Sequence, residues 1–257
     1  MYLQEHAQAD GEGVGDEQSR AAQIVALQRF AELALEPGRV TTWLNHWSLL
    51  HADWEQLAKM DLIGFDGTLL QMALNGRGHR LYRSSADLVL PYLFDKLPNG
   101  SRIAFIGAAP GVAQKAAQRL EGFEILAIDG YEGVKQLRRD PCELIAFDPD
   151  FVVVGLGAGL QELVASKVHG WLPQACVCTA GGWLDQFAQA EQYFPEWIHR
   201  YRLGWAWRIA HEPRRLIGRY TVEAVDFVAL KGRLLERLES LGVFTDLGLI
   251  VESSPKG

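Results

Sequence analysis

The sequence feature that most constrains the fold is an alternation of apolar strands, glycine turns and helices across the middle of the chain. Strands are predicted at four nearly continuous apolar runs: RIAFIG, FEILAID, DFVVVGLG and ACVCTA. Runs of this kind are typical of parallel strands that helices cover on both faces. A strand–turn–helix repeat also requires crossover connections. The sequence therefore predicts an α/β fold with a Rossmann-like parallel sheet and crossover helices.

The flanking segments divide the chain into three predicted parts. Residues 1–19 carry five acidic side chains and no lysine or arginine, a composition that predicts disorder. Residues 20–193 are predicted to form the α/β domain, which gains two earlier strands at RVTTWLN and DLIGF. From residue 194 the pattern changes to helices, so residues 194–257 are predicted to form a C-terminal helical appendage.

The composition narrows the functional classes. The chain has 257 residues, of which 48% are hydrophobic and 22% charged, a balance typical of soluble globular proteins. We expect a cytoplasmic protein, because no apolar run has the length of a membrane span and no secretory signal is recognisable. Three cysteines make no disulfide framework, which agrees with a reducing compartment. The net charge of −7 argues against a general nucleic-acid binder.

One segment departs from this acidic character. Residues 195–220 carry six arginines against two glutamates, with tryptophans and tyrosines between them. Such a segment could meet the anionic headgroups of a membrane with its arginines and place its aromatic rings at the interface. It could instead bind single-stranded nucleic acid, or be an amphipathic helix that packs on the body with solvated arginines. The sequence leaves these three alternatives open.

Glycine loops follow most of the predicted strands. Ligands of open parallel sheets bind outside the carboxyl ends of the strands, and glycine lets backbone N–H groups approach a phosphate closely. The loops GAAPG, DGYEG and GLGAG therefore predict a nucleotide site, with Gly107, Gly130 and Gly157 among its residues. The same loops also fit a Rossmann-type methyltransferase or dehydrogenase, which is the alternative enzyme class.

The stretch GFDGTLLQ, residues 64–71, contains the candidate for proton transfer. It resembles the D-x-D-G-T-L signature of a phosphatase class, but Gly64 stands where the nucleophilic aspartate would be. Asp66 follows a predicted strand, so it lies at the ligand face and could accept a proton from a substrate hydroxyl. Alternatively, Asp66 caps the following helix. Arg83 could likewise grip a phosphate or be a solvated surface residue.

No metal site is predicted. The acidic pair in AFDPDF, Asp148 and Asp150, has the D-x-D spacing of some metal-binding loops. Asp150, however, enters a predicted strand at its amino end, opposite the ligand face. The sequence has no H-E-x-x-H zinc spacing and no G-x-S-x-G nucleophile elbow.

Several segments, in this order, resemble the WecG/TagA/CpsF family of bacterial glycosyltransferases. The matching segments are TTWLNHWSLL, FDGTLLQMAL, LYRSSADLVLPYL, IDGYEG, DFVVVGLGAGLQE, GGWLDQF and LGWAWRIAHEPRRLIGRY. The resemblance runs from about Val40 to Tyr220. It implies the inverting, metal-independent transfer of a hexose or N-acetylhexosamine from a UDP-sugar to a polyprenyl-diphosphate-linked sugar acceptor. Such enzymes act in bacterial exopolysaccharide or surface-polymer biosynthesis.

The resemblance also implies roles for individual residues. It makes Asp66 the general base and places Asn45 and Arg83 in the same cleft. Residues matching positions near the nucleotide are Tyr131, Gln161 and Asp185, and those matching the membrane-proximal, acceptor-diphosphate segment are Arg208, Arg214, Arg215 and Arg219. The implied location is the inner face of the cytoplasmic membrane, without a spanning helix and without nucleic acid as a partner. A homo-oligomer is compatible with these features.

The chain departs from the family pattern at several positions. Leu160 stands where the family has lysine or arginine before Gln-Glu, and Gly159 stands where it has proline. Gly204 replaces the glutamate before a tryptophan. These differences predict a divergent donor or acceptor sugar, which the sequence does not name.

Overall fold

The structure is a computed structural model that describes residues 14–79, 81–190, 206–207, 218 and 221–242. Its centre is a sheet of six strands, all parallel, in the order β2-β1-β6-β5-β3-β4. The strands are β1 (Val40–Leu44), β2 (Leu62–Phe65), β3 (Arg102–Gly107), β4 (Glu124–Ile128), β5 (Phe151–Gly155) and β6 (Cys176–Thr179). The predicted parallel α/β sheet is therefore confirmed.

Helices alternate with the strands along the chain. In chain order they are α1 (Val14–Ala34), α2 (His46–His51), α3 (Trp54–Leu57), α4 (Thr68–Asn75), α5 (Ala86–Lys96), α6 (Val112–Ala117), α7 (Glu132–Arg139), α8 (Cys142–Phe147), α9 (Leu160–Trp171), α10 (Trp183–Gln189) and α11 (Val222–Ser240). The strands β1, β2, β5 and β6 are buried along their whole length, although β2 lies at the edge of the sheet. This burial accounts for their nearly continuous apolar sequences.

The first helix starts earlier than the sequence predicts. Helix α1 begins at Val14, so the prediction of disorder through residue 19 is wrong for residues 14–19. This segment contains no proline, and acidic residues are favoured in the first turn of a helix. Farther along, α1 packs against α5 and buries Phe30 completely.

The sequence pattern of residues 47–60 predicts one helix, but the structure has two short helices there. Helix α2 ends at His51, and Asp53 then caps α3 by accepting hydrogen bonds from the backbone N–H groups of Glu55 and Gln56. An aspartate that satisfies these groups favours a new helix start at this point. Helix α2 starts at His46, directly after the carboxyl end of β1.

The last described helix packs on the body of the domain. Helix α11 lies against α2 and α4 and buries Phe227, Leu235 and Leu238. At its far end, Glu239 pairs with Arg77 at 2.7 Å and with His79 at 2.9 Å. The predicted appendage is described only for residues 206–207, 218 and 221–242, and within these α11 confirms a C-terminal helix.

The strand order creates a switch point near the middle of the sheet. From β3 the chain continues through α6 to β4 on one side, whereas from β5 it continues through α9 to β6 on the other. Loops that diverge from adjacent strands leave a crevice, which is the preferred ligand position in sheets of this kind.

Candidate functional site

A cavity of about 900 Å³ lies at the carboxyl ends of the strands. Its volume is at the upper end of the range for small-molecule sites. All six strands deliver the residues that follow their carboxyl ends to its lining: Asn45, Asp66, Ala108, Gly130, Gly157 and Gly181. Ala224 of α11 lines it as well, so the C-terminal helix contributes to one wall. The cavity spans the switch point between β3 and β5.

Asp66 lies in this cavity directly after β2. Its backbone N–H donates to the carbonyl oxygen of Leu44 at 2.7 Å, which ties the end of β2 to the end of β1. The N-cap of α4 is Gly67, with a φ of 80° and no side-chain capping bond. The alternative in which the Asp66 side chain caps this helix is therefore wrong. The carboxylate is instead left to interact with groups in the cavity.

Arg83 is the partner of the Asp66 carboxylate. Its Nε donates to Asp66 Oδ1 at 3.3 Å, and its Nη2 lies 3.5 Å from Asp87 Oδ2. The Arg83 side chain is 26% exposed, so it is not a solvated surface arginine. Among the described residues that line the cavity, it is the only lysine or arginine. One guanidinium thus sits between two carboxylates at the site.

The surroundings of Gly64 explain why the stretch GFDGTLLQ cannot work as a phosphatase signature. A Cβ atom at this position would lie 2.4 Å from Cδ1 of Trp43 and 2.9 Å from the carbonyl oxygen of Ser84. No side chain fits at these distances, so an aspartate nucleophile is sterically excluded. The strand brings only Asp66 to the cavity.

Asn45 lines the same cavity and also starts α2. Its Oδ1 accepts from the backbone N–H of Ser48 at 2.9 Å, and its own N–H donates to Ser48 Oγ at 2.7 Å. This reciprocal capping box fixes the entry of α2. The side chain of Asn45 is thereby held in place at the end of β1, the strand next to the one that carries Asp66.

The candidate nucleotide residues lie at the other strand ends. Those that line the cavity are Gly130, Tyr131, Gly157, Gln161 and Asp185. Gly107 is not among the lining residues. A Cβ atom there would lie 2.1 Å from the carbonyl oxygen of Gly155, so this glycine allows β3 and β5 to approach each other. Its neighbour Ala108 lines the cavity instead, with a positive φ of 59°.

Tyr131 follows β4 and Asp185 follows β6, so the two residues lie on opposite sides of the switch point. Tyr131 is 61% exposed at the start of α7, and its backbone N–H donates to Asp129 Oδ1 at 2.8 Å. This bond holds the loop after β4 in place while the phenol ring stays accessible. Asp185 lies in the first turn of α10, so its carboxylate reaches the cavity from the loop after β6.

A buried carboxylate, Glu162, was not recognised from the sequence. It is completely buried and receives hydrogen bonds from the Gly159 N–H at 2.6 Å, Gln161 Nε2 at 2.9 Å and Thr42 Oγ1 at 3.3 Å. The capping pattern of a glutamate three residues after a helix N-cap was the available signal. Asp87 was also missed, although it lies one helical turn after Arg83 in sequence.

The acidic D-x-D pair lies at the opposite end of the sheet. Asp150 Oδ2 accepts from the backbone N–H of Arg102 at 2.8 Å, and Asp148 pairs with the Arg102 guanidinium at 2.8 Å. Both carboxylates therefore bind Arg102 at the amino end of the sheet. Among the residues described, no three histidine, cysteine, aspartate or glutamate side chains form a group that could hold a metal ion. Burial raises the pKa of Cys178 well above its ordinary value, so this thiol stays protonated.

The membrane-proximal candidates cannot be placed. Arg208, Arg214, Arg215 and Arg219 lie outside the described residues. Within the described part of the chain, none of the helices combines the length and the apolar character needed to span a bilayer.

Comparisons with known proteins agree with the sequence resemblance. Residues 18–240 match the model of a protein family described as "Glycosyl transferase WecG/TagA/CpsF family". A UDP-Gal:alpha-D-GlcNAc-diphosphoundecaprenol beta-1,4-galactosyltransferase of Shigella boydii is 26% identical over 211 residues, which cover 76% of this chain and 89% of that protein. An N-acetylglucosaminyldiphosphoundecaprenol N-acetyl-beta-D-mannosaminyltransferase of Bacillus spizizenii is 34% identical over 154 residues, 58% of this chain and 59% of that protein. These matches decide against a methyltransferase or a dehydrogenase.

Proposed function

Because the chain belongs to the WecG/TagA/CpsF family of glycosyl transferases, we propose that it transfers a sugar from a UDP-sugar to an acceptor on polyprenyl diphosphate. Both relatives are named for an N-acetylglucosamine acceptor on undecaprenyl diphosphate, and one of them for a UDP-linked donor. One relative transfers a hexose and the other an N-acetylhexosamine, so the proposed donor is one of these two classes. The product would be a lipid-linked precursor of a bacterial exopolysaccharide or another surface polymer.

The observation that carries the proposal is the position of Asp66. Its carboxylate lies in a cavity of about 900 Å³ to which every strand of the sheet contributes, at a distance of 3.3 Å from its cationic partner Arg83. The ion pair orients the carboxylate without burying it, since 27% of the Asp66 side chain stays exposed. A carboxylate held in this way can accept a proton from a hydroxyl group that enters the cavity.

The proposed reaction is a single displacement with inversion. Asp66 takes the proton of the acceptor hydroxyl as its oxygen forms a bond to the anomeric carbon. The bond from that carbon to the UDP oxygen breaks on the opposite face, and UDP leaves with the electron pair. One base is sufficient for this step, and proton transfer of this kind typically contributes about 10²–10⁴ in rate.

The charge of the leaving diphosphate would be stabilised by protein groups without a metal. The N-terminus of α9 and the loop at Gly157 border the cavity, and backbone N–H groups at a helix start favour phosphate. Arg83 supplies a guanidinium that can turn from carboxylate to phosphate oxygen. Asp148 and Asp150, the only D-x-D pair, face away at the amino end of the sheet.

The lipid-linked acceptor suggests a peripheral position on the inner face of the cytoplasmic membrane. Arg208, Arg214, Arg215 and Arg219 would contact anionic headgroups or the acceptor diphosphate. The described helix α11 supports this arrangement, because it follows the arginine-rich segment and contributes Ala224 to the cavity wall. The lipid-borne substrate would then reach the site from the side of the C-terminal segment.

The experiment that tests the function compares Asp66→Asn with Asp148→Asn. The assay measures UDP release from a panel of UDP-sugars, with a short polyprenyl-diphosphate-linked N-acetylglucosamine as the acceptor. We expect Asp66→Asn to lower kcat at least about a hundredfold while the Kd for UDP stays within about twofold. Asp148→Asn is the matched control, a carboxylate change at the far end of the sheet, and should leave kcat unchanged. Near-normal turnover of Asp66→Asn would refute the assignment of the base.

A further inference from the structure

We propose that Glu162 is a positioning residue that fixes the orientation of the Gln161 amide, so that the amide nitrogen meets the diphosphate of the donor. This inference rests on the proposed function, because it assumes a UDP-sugar in the cavity. It concerns a side chain that does not line the cavity itself. Glu162 is completely buried behind the loops that follow β5 and β6.

The hydrogen bonds around Glu162 have a definite polarity. An ionised carboxylate only accepts, and three donors surround it: the Gly159 N–H at 2.6 Å, Gln161 Nε2 at 2.9 Å and Thr42 Oγ1 at 3.3 Å. The single hydroxyl proton of Thr42 is thereby used. Thr179, whose Oγ1 lies 2.6 Å from that of Thr42, must therefore act as the donor in that pair. One carboxylate thus orders a donor of β1 and two donors from the start of α9, and through Thr42 it also orders Thr179 at the end of β6.

The same polarity determines which way the Gln161 amide faces. Its Nε2 donates to Glu162 Oε1 at 2.9 Å, and its Oε1 accepts from the Gly181 N–H at 3.1 Å. A flipped amide would place oxygen against the carboxylate and nitrogen against an N–H group, so both contacts would become repulsive. The amide orientation is therefore set by its chemical partners.

The amide nitrogen retains a proton for a ligand. Gln161 lines the cavity and is only 4% exposed. A primary amide has two N–H protons, and among the described residues only Glu162 accepts from this nitrogen. The second proton lies at the start of α9, beside the loop at Gly157, where the helix terminus favours an anion. An acceptor-rich diphosphate is the part of a UDP-sugar that fits this donor.

The variant Glu162→Gln tests the idea because it keeps the shape and changes the polarity. Its new amide nitrogen must face either the Gly159 N–H or the Gln161 amide. If the new nitrogen faces the Gly159 N–H, the Gly159 contact is lost. If it faces Gln161, the amide of Gln161 either loses its acceptor or flips, and a flip sets its nitrogen against the Gly181 N–H. We therefore expect the Gln161 amide to lose its single fixed orientation, so that its nitrogen is no longer held toward the diphosphate.

The measurement is a double-mutant cycle of Glu162→Gln and Gln161→Ala, with UDP and uridine as ligands in calorimetry. Each single variant should raise the Kd for UDP at least about tenfold and change the Kd for uridine less than twofold. The double variant should bind UDP no more weakly than Gln161→Ala alone. Losses that multiply, an equal loss for uridine, or unchanged UDP binding by Glu162→Gln would overturn the inference.

Two further measurements distinguish failure of the proposed function from failure of this inference, and cover a Glu162→Gln variant that does not fold. If the unaltered protein does not bind UDP, the proposed function fails and this inference fails with it. If Glu162→Gln shows no cooperative thermal unfolding, Gln161→Glu tests the same geometry from the other residue. That variant places an acceptor where the nitrogen lies, so the Kd for UDP should again rise at least about tenfold with uridine unaffected. Unchanged UDP affinity of Gln161→Glu would overturn the inference.

Discussion

The ion cluster that fastens α11 to the body allows a prediction about stability and pH. Glu239 accepts from Arg77 Nε at 2.8 Å and Nη2 at 2.7 Å, and it contacts His79 Nε2 at 2.9 Å. The hydrogen bonds from Arg77, and then that from His79, lower the pKa of Glu239 from 4.5 to about 2. The perturbation we choose is Glu239→Gln, which removes the charge and keeps the shape.

The magnitude follows from this pKa and from the exposure of the cluster. A pKa lowered this far would correspond to about 3 kcal/mol if the pair were shielded from solvent. The side chains of Arg77 and Glu239 are 34% and 27% exposed, so screening by water and salt reduces the contribution to about 1 kcal/mol. We therefore expect Glu239→Gln to lower the free energy of unfolding by about 1 kcal/mol at pH 7.

The sign of the pH dependence is fixed by the direction of the pKa change. A carboxyl group whose pKa is lower in the folded state contributes its full stability above pH 4.5, its unfolded value. This contribution is lost as the pH falls from 4.5 toward 2. The difference between the unaltered protein and Glu239→Gln should therefore shrink to less than half by about pH 3.

The assay is urea unfolding of both proteins at several pH values, together with hydrogen exchange of the α11 amides. Asp226→Asn is the matched control, because Asp226 is exposed on the same helix. We expect that control to change stability by a few tenths of a kcal/mol. A difference for Glu239→Gln that stays constant from pH 7 to pH 3 would refute the linkage argument.

Three further predictions concern the metal, the membrane and the strand that delivers Asp66. Turnover should persist in excess EDTA, and a strict requirement for added Mg²⁺ or Mn²⁺ would contradict the metal-free mechanism. Changing Arg214 and Arg215 to alanine should reduce co-sedimentation with anionic vesicles at least about tenfold, and unchanged binding would contradict the membrane contact. Gly64→Ala should destabilise the fold by about 1–3 kcal/mol in urea unfolding, because its Cβ would meet Trp43. Gly170→Ala, whose Cβ would meet nothing within 4 Å inside α9, is its control, and equal effects of the two changes would contradict the packing argument.

The sheet could be predicted because burial on both faces leaves a strong signal in the sequence. Strand β5 consists of Phe151–Gly155 and is buried throughout, so its apolar run could be recognised without any partner. Helices α7 and α8 gave no comparable signal. Their buried side chains are only Val134, Leu137 and Leu144, too few to establish a helical period over six or eight residues.

The candidate site was predictable in its position and less so in its contacts. The order of strand, turn and helix is sufficient to bring the loops together at one edge of a parallel sheet. The pairing of Asp66 with Arg83 depends on the path of the chain between β2 and α5, which no local pattern determines. The bond from Thr42 to Glu162 joins residues 120 positions apart, so sequence spacing could not reveal it.

The packing around Gly64 connects the fold to the proposed chemistry. A phosphatase of the D-x-D type needs two carboxylates on one strand end, one as nucleophile and one as acid or base. Here the indole of Trp43 occupies the space that a side chain at position 64 would need. Strand β2 therefore delivers one carboxylate, and Arg83 holds it at 3.3 Å. The phosphatase scheme needs a second carboxylate that this strand cannot provide, whereas direct attack by an acceptor hydroxyl requires only a base. The packing around β2 thus excludes the paired-carboxylate scheme and is compatible with the proposed single displacement, in which Asp66 removes the proton.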